Sequence, residues 1–472
     1  MSDYVRAWWR YSRAPRQRWL WYSAAAAVYL LVRVLPLSGF TESGQRALAV
    51  AAVAAFLWVT NAVPSAITGI VVLFLLPITG VLSNEHTYAY FGNHAVFLVL
   101  GAFILASPVM RSGLSTRIAL WAVYTFGRSL GTLVTSVLWI GALMSFVISE
   151  HAVAAMLFPI VTEIVRAVNV KPGSHFGLAA FLALAWGASI GGTATLLGGA
   201  RAPLAIGILN STTGQTIGFL EWTLWAIPTV LILLAVAHLM LRRMAAQDTQ
   251  VSLEAAHNYL EQRSRALGPI SMREKQVAGV MLVTIGLWMF MGDTWGLDSI
   301  ALLGVLMAFG LRLARWEEVE ADVNWGVVVM YGSAIALSSA LRDTQAAQSL
   351  AQLVLDADLS SKVLVFAVIV FMATMLTEIM SNAASVAVLM PIALVLAENF
   401  GMDAKAVTLG VAVPAGLAFL IPVSTPAIAI ILSSPYVHSF QVLTRGILLK
   451  ILSFIVFMLM AVVYWPLIGL AF

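Results

Sequence analysis

SEHAVAAMLFPI, residues 149–160, returns 232 positions later as SNAASVAVLMPI, residues 381–392. Both stretches open on a serine followed by a polar residue, run through small side chains and close on an apolar residue, Pro and Ile. Upstream, HAVFLVLGAFILAS from His94 aligns with WGVVVMYGSAIALSS from Trp325, setting Gly101 against Gly332 at an offset of 231. Two matches at offsets that differ by one residue mark an internal duplication. Each copy continues into an apolar segment interrupted by Gly, Thr or Pro: GGTATLLGGARAPLAI from Gly191 and GLAFLIPVSTPAIAII from Gly416.

These stretches lie in a chain of 472 residues that is 61% apolar and 10% charged, with a mean hydropathy of +0.93. Such a composition excludes a cytosolic enzyme and leaves room for about ten to twelve bilayer spans. Span-length runs begin near Trp19, Ala47, Ser65, His94, His175, Trp222, Val277, Ser299, Trp325, Ala404 and Gly446. Two further runs, 131–166 and 362–397, carry polar residues at their middles and read as re-entrant hairpins, because polar backbone at membrane depth needs protein or a wet cavity around it. The expected fold is an all-α polytopic membrane protein of about eleven transmembrane helices plus two hairpins.

Charge orients this threading. Net charge is 26 − 22 = +4, and with the N-terminus inside, the inner loops collect Arg6, Arg10, Arg13, Arg16, Arg18, Arg111, Arg117, Arg128, Arg166, Lys171, Arg242, Arg243, Arg263, Arg265, Arg273, Lys275, Arg312, Arg315, Arg445 and Lys450. The outside receives Arg33, Arg46, Arg342, Lys362 and Lys405. This asymmetry expects a multi-pass cytoplasmic (inner) membrane protein with its C-terminus outside. The basic N-terminus lacks a small-residue cleavage pattern and reads as a retained first helix. The hairpins enter from opposite sides, so the repeats are inverted, the arrangement from which alternating-access carriers are built. The domains expected are 1–130 and 131–242 as the two parts of the first repeat, 243–275 as a polar cytoplasmic connector, and 276–361 and 362–472 as the two parts of the second. There is no cysteine, which excludes disulfides, thiolate metal sites and a cysteine nucleophile.

A helix broken at mid-membrane exposes unpaired N–H and C=O groups, and its N-terminal end carries partial positive charge. Two hairpin tips and two broken helices converging near the midplane therefore make an anion site without requiring a basic side chain. The bland alternative, that Gly, Ser and Thr serve close helix packing, does not account for four polar interruptions at duplicated positions.

The hairpin tips, the Gly-Gly-Thr-Ala-Thr-Leu segment, the Ser-Thr-Pro segment, Asn61-Ala-Val-Pro64, Leu98 to Phe103 and Leu376-Thr-Glu-Ile379 together resemble the divalent anion/sodium symporters, solute carrier family 13. The resemblance covers nearly the whole chain. It implies a homodimeric elevator carrier, a transport domain sliding on a scaffold, moving dicarboxylates, citrate or sulfate, usually with sodium. Carried across, Ser381 and Asn382 are the second hairpin's substrate and ion contacts, with Ala383 where Thr is usual. Thr377 falls on a second sodium site, and Ser424, Thr425 and Pro426 keep most of the opposing loop. Ala427 and Ile428 replace the family's Pro and Asn.

The first hairpin departs further. Ser149 is kept, but Glu150-His151 replaces Asn-Thr, and Gly198-Gly-Ala-Arg-Ala202 replaces Gly-Thr-Pro-Pro-Asn. A guanidinium at a sodium site opposes the ion by direct Coulomb repulsion. Glu150 and Arg201 are therefore expected to pair, a fixed cation standing in for a mobile one, with reduced sodium dependence. Three roles stay open for this group: Arg201 and His151 contact the anion, Glu150 and His151 exchange protons, or a static bridge locks the hairpin. Candidate substrate contacts are thus Ser149, His151, Arg201, Ser381, Asn382, Thr425 and Pro426. Candidate coupling residues are Glu150, Gly198, Thr377, Asn382 and Ser424, with sodium near Thr377 and Asn382.

Glu378 reads as an internal bridge holding the second hairpin. His86, His94, His257 and His438 fall in loops or at span ends, and His238 lies near a cytoplasmic end. Trp8, Trp9, Trp19 and Trp21 suit an interfacial belt. No nucleotide-binding glycine loop, metal-ligand histidine spacing or nucleophile-base constellation stands out, so an ATP-driven pump and an intramembrane enzyme have no support, and nothing points to nucleic acid. The partners expected are a small anion, membrane lipid and a second copy of the chain. Sodium or protons are the only cofactor-like species. The alternative within transport is a cation/proton antiporter or a proton-coupled oxyanion carrier.

Overall fold

Backbone inside lipid must close its hydrogen bonds within the segment. In the computed structural model every regular element among the described residues, 15–37, 39–248, 253–355 and 361–470, is helical. Arg6, Arg10 and Arg13 and the tryptophans Trp8 and Trp9 lie outside the described residues.

After Pro15–Val34, the first copy runs Glu42–Thr60, Ser65–Ile78, Asn84–Ala89, His94–Arg111, Leu114–Phe126, Leu130–Ser145 and Glu150–Ala167. It ends with His175–Gly191, broken before Arg201–Thr213, and Phe219–Ala245. Glu254–Ala266 lies in the connector. The second copy repeats the order as Met272–Trp295, Leu297–Gly310, Trp316–Asp322, Trp325–Asp343, Ala346–Leu355, Lys362–Ile379 and Asn382–Asn399, then Ala404–Ala415, broken before Pro426–Ile431, and Ser439–Val463. The duplication read from two matches therefore extends through the whole element order. Leu114–Phe126 and Ala346–Leu355, between span and hairpin in each copy, are additions to the expected elements. At 13 and 10 residues they are too short to register as spans.

Eight described helices are long and apolar enough to cross a membrane, the arms Lys362–Ile379 and Asn382–Asn399 among them. Their tip nevertheless stops inside the protein, as does that of Leu130–Ser145 and Glu150–Ala167. The Glu150 N–H donates to Gly198 O at 2.9 Å, in the break between helices of 17 and 13 residues. That break lies about 25 Å along one helix and about 20 Å along the other from their far ends.

The copies interlock reciprocally. Ser65–Ile78 packs on Trp325–Asp343, and Leu297–Gly310 on His94–Arg111. Likewise Glu150–Ala167 packs on Pro426–Ile431, and Asn382–Asn399 on Arg201–Thr213. Close approach in the first copy rests on glycine. A Cβ at Gly187 would stand 2.3 Å from Leu138 O, and one at Gly191 2.4 Å from the Ala142 Cα, so His175–Gly191 meets the hairpin arm backbone to backbone.

Helix ends assigned to the same side meet in space. On one face Arg111 pairs with Asp322, Arg117 with Glu274, and Phe176 N–H donates to Asp248. On the other, Lys405 pairs with Glu221, His94 with Asp298, and Thr41 donates to Thr344 O. Lys450 is a correction to the loop cations: it is buried within Ser439–Val463, where its Nζ lies 2.9 Å from Glu378 Oε1. A lysine at that depth requires a carboxylate partner.

Candidate functional site

Each hairpin tip is stitched to the break of its own copy. In the first, Thr195 Oγ1 donates to Phe146 O at 2.7 Å and Trp222 Nε1 to Thr193 O at 3.2 Å. Gly198 is sterically required, because a Cβ there would fall 2.4 Å from both Gly192 Cα and Ser145 O. In the second, Glu378 accepts the N–H groups of Phe419 and Leu420 at 3.1 and 3.2 Å while Lys450 Nζ donates to Leu417 O at 2.7 Å. Glu378 is thus the internal bridge expected of it, with Lys450 as the cation the sequence reading placed elsewhere.

The two tips then meet each other. Glu150 and Asn382 occupy equivalent positions of the duplication, 382 − 150 = 232, and Asn382 Nδ2 donates to Glu150 Oε1 at 3.2 Å. The other carboxylate oxygen, Oε2, accepts from Arg201 Nη1 at 3.2 Å, with both side chains sealed from solvent at 1 and 2% exposure. Asn382 Oδ1 accepts from Thr377 Oγ1 at 2.9 Å, and that hydroxyl lies 2.5 Å from Ala415 O. A polar chain thus runs from the first break to the second: Arg201, Glu150, Asn382, Thr377, Ala415. Asn382 is spent on this chain rather than on capping its own backbone.

Arg201 lies in a cradle of glycines. A Cβ on Gly199 would sit 2.1 Å from its Nη1 and one on Gly416 2.0 Å from its Nε, so the guanidinium plane fills the space between the two breaks. Its Nη2 is buried without a hydrogen-bond partner. That orphan donor, beside a neutralised Nη1, is what an incoming anion oxygen would satisfy. At the other end of the chain, the oxygens of Thr377, Asn382 and Ala415 converge around a single hydroxyl proton, a donor set that suits a hard cation.

The remaining candidates are placed as follows. Ser149 and Ser381 cap their own helices, accepting from Ala152 and Ala384 N–H. His151 stands with Nδ1 3.6 Å from Glu150 Oε1, within ion-pair distance when the ring is protonated but without a hydrogen-bond partner, on a side chain 43% exposed. Gly198 takes part through its carbonyl. Thr425 caps Ala427 N–H, Ser424 donates to Ile421 O at 2.6 Å and Pro426 opens the short second half-helix. These three are not joined to the chain of Glu150 and Asn382 by any hydrogen bond. A cavity of about 20 Å³ touches Ser149, Gly199 and Pro203, room for about one water. Gly199, Gly416, Thr195 and the Ala415 carbonyl are site residues that sequence reasoning missed. The glycines flanking Arg201 and ending the Pro-Ala-Gly of Ala404–Ala415 were the available signal.

A family model described as the sodium:sulfate symporter transmembrane region matches residues 16–471. The sodium-dependent dicarboxylate transporter SdcS of Staphylococcus saprophyticus is 29% identical, over 91% of this chain and 88% of its own. The SdcS of Staphylococcus aureus is 27% identical over 87% and 84%. Among solved structures, the YdaH transporter of Alcanivorax borkumensis shares the fold at a TM-score of 0.56 and 15% identity, covering 84% of this chain and 89% of that one. MtrF of Neisseria gonorrhoeae does so at 0.56 and 15%, covering 82% and 83%.

Proposed function

The chain belongs to the sodium:sulfate symporter family and is an anion transporter of the membrane rather than an enzyme, and from that premise we propose a secondary carrier of a dicarboxylate or sulfate-like anion with reduced sodium dependence. The observation that carries the proposal is the sealed Glu150–Arg201 pair. A mobile sodium beside the first hairpin is replaced by a guanidinium that cannot leave. Thr377, Asn382 and the Ala415 carbonyl keep an oxygen cluster for one cation at the second hairpin. The substrate sits between the tips, one oxygen on Arg201 Nη2, and enters when the Asn382–Glu150 contact parts.

In this reading residues 131–242 and 362–472 move as the transport part, residues 1–130 and 276–361 form the scaffold of a homodimer, and residues 243–275 join them on the cytoplasmic side. The arginine-rich face is cytoplasmic, the N-terminus with it, in a cell inner membrane. The pairing of the midplane acid with an arginine supports an anion carrier over a cation/proton antiporter.

Purified protein in proteoliposomes, offered labelled dicarboxylates and sulfate under separately imposed sodium and proton gradients, tests this. Uptake of one of these anions, with a weak sodium response, is expected. Replacing Glu150→Asn, His151→Thr and Arg201→Pro together should raise the sodium response; an unchanged response overturns the substitution idea. A second reading rests on His151, whose unpartnered Nδ1 faces Glu150 from a half-exposed side chain. Here a proton takes sodium's place, and a proton gradient alone would drive uptake that His151→Gln abolishes.

A further inference from the structure

A cavity of about 700 Å³ lies outside the polar site, between Leu114–Phe126, the first-hairpin arm Leu130–Ser145 and the span Phe219–Ala245. Its walls include Ile118, Trp121, Trp139 and Leu143. The hydroxyl groups on it and the Trp139 indole are spent internally. Ser136 and Thr135 donate to Thr132 O, Ser115 donates to Val109 O, and Trp139 Nε1 donates to His238 Nδ1 at 3.2 Å. Such a cavity offers water or a free anion nothing to bond and favours an apolar occupant.

Its length and its mouth narrow the choice. From Thr132 to Met144 the groove follows about 18 Å of helix, more than the ~15 Å half-thickness of a hydrocarbon core. At the Thr132 end, Arg242 packs its Cγ where a Cβ on Gly131 would lie 3.0 Å away. Arg243 follows it in sequence and Arg128 lies three residues before Gly131, and all three are exposed and without an ion pair among the described residues. A long apolar slot with unpaired arginines at one end fits a lipid with an acyl chain and a negative headgroup. We propose that an anionic phospholipid binds here, one chain in the groove and its phosphate on Arg128, Arg242 and Arg243. Because Val147 and Ile148 line the deep end, the chain's terminus bears on the turn that presents Ser149 and Glu150.

The test uses the full-length protein in vesicles of phosphatidylethanolamine with a trace of phosphatidylglycerol or phosphatidylcholine, each bearing the same photoreactive group near the end of one chain. Phosphatidylglycerol is expected to label the peptides carrying Val147 and Leu143, and phosphatidylcholine to label them several-fold less. Replacing Arg128→Gln, Arg242→Gln and Arg243→Gln together should cut that labelling about a hundredfold, near fivefold per arginine. Leu143→Trp, filling the groove, should cut it while leaving the arginines intact, and melting temperature checks that both variants fold. Equal labelling by the two lipids would overturn the headgroup contact. Labelling confined to outward-facing residues such as Leu282 and Phe290 would overturn the groove itself.

Discussion

Arg201→Met leaves Glu150 buried with one neutral hydrogen bond, from Asn382, in place of an ion pair. At 3.2 Å and an effective dielectric near 20, the lost attraction is about 5 kcal/mol. Breaking a buried pair by removing one partner costs about 3–5 kcal/mol for the same reason. Glu150→Gln is the complementary single change; it leaves a guanidinium between Gly199 and Gly416 with no counter-charge and should cost a similar amount. The double variant removes both charges, keeps an amide oxygen for Asn382, and spares the protein the orphan Nη2 as well. It should therefore cost no more than about 2 kcal/mol, so the cycle closes with a coupling of at least ~3 kcal/mol. Unfolding free energies of the four proteins from SDS titration in mixed micelles supply the cycle. Repeating the titration with sodium replaced by choline adds a second readout: sodium should stabilise Arg201→Met more than it stabilises the parent, because the bare Glu150 carboxylate invites a cation beyond the one proposed at Thr377 and Asn382. Additive single effects, with a coupling under about 0.5 kcal/mol, would show that the two groups do not form a working pair.

Gly187→Ala should lower the melting temperature markedly, since its Cβ would meet Leu138 O at 2.3 Å, whereas Gly279→Ala, with nothing within 4 Å, should be neutral or stabilising. Lys450→Met should destabilise by about 2–3 kcal/mol in the same titration, less than Arg201→Met, because Glu378 keeps the N–H donors of Phe419 and Leu420. Thr377→Val removes an oxygen from the proposed cation cluster and should raise the sodium concentration for half-maximal uptake severalfold, with anion affinity measured in sodium-free buffer unchanged. On the face that carries Arg111 and Arg117, the Arg111 guanidinium bonded to Asp322 holds that carboxyl below the usual carboxylate range. The pair's stabilisation is then full above about pH 4 and is lost as pH falls through the lowered value; the melting-temperature gap between the parent and Asp322→Asn should be constant from pH 8 to 5 and close below 4.

Periodicity and repetition were strong signals in this chain because lipid leaves the backbone no alternative to helix. The long spans, the breaks and the hairpins were placed from apolar run length and from matches 231 and 232 positions apart. The pairing of Glu150 with Arg201 was legible for a related reason: two opposite charges in duplicated polar interruptions have nowhere else to go at that depth. Illegible were features that depend on the third dimension. Lys450 sits at the middle of the 25-residue helix Ser439–Val463, but a span read as beginning near Gly446 assigns it to a loop end; only Glu378, 72 positions earlier, explains its burial. Leu114–Phe126 is amphipathic and carries Arg117, so no threshold on hydropathy finds it. The contact of Asn382 with Glu150 was not read either, although both were singled out, because two equivalent positions meet only if the repeat axis passes between them.

That axis frames the chemistry. Equivalent residues 150 and 382 face each other, one a carboxylate and one a shorter neutral amide, so a symmetric scaffold holds an asymmetric site. On the first-copy side the countercharge is Arg201, covalently part of the chain; on the second-copy side the proposed countercharge is an exchangeable ion on the oxygens of Thr377, Asn382 and Ala415. The distinction matters for work. A sodium carried inward with substrate contributes about 2.3 kcal/mol for every 100 mV of membrane potential, near a fiftyfold gain in accumulation. A tethered guanidinium that crosses must return in every cycle, and the two passages cancel. On the proposed reading, replacing a mobile cation by Arg201 keeps the electrostatic welcome for the anion and gives up one ion's share of the driving force. What the exchange secures is a first hairpin that stays closed on its own charges whether or not sodium is present.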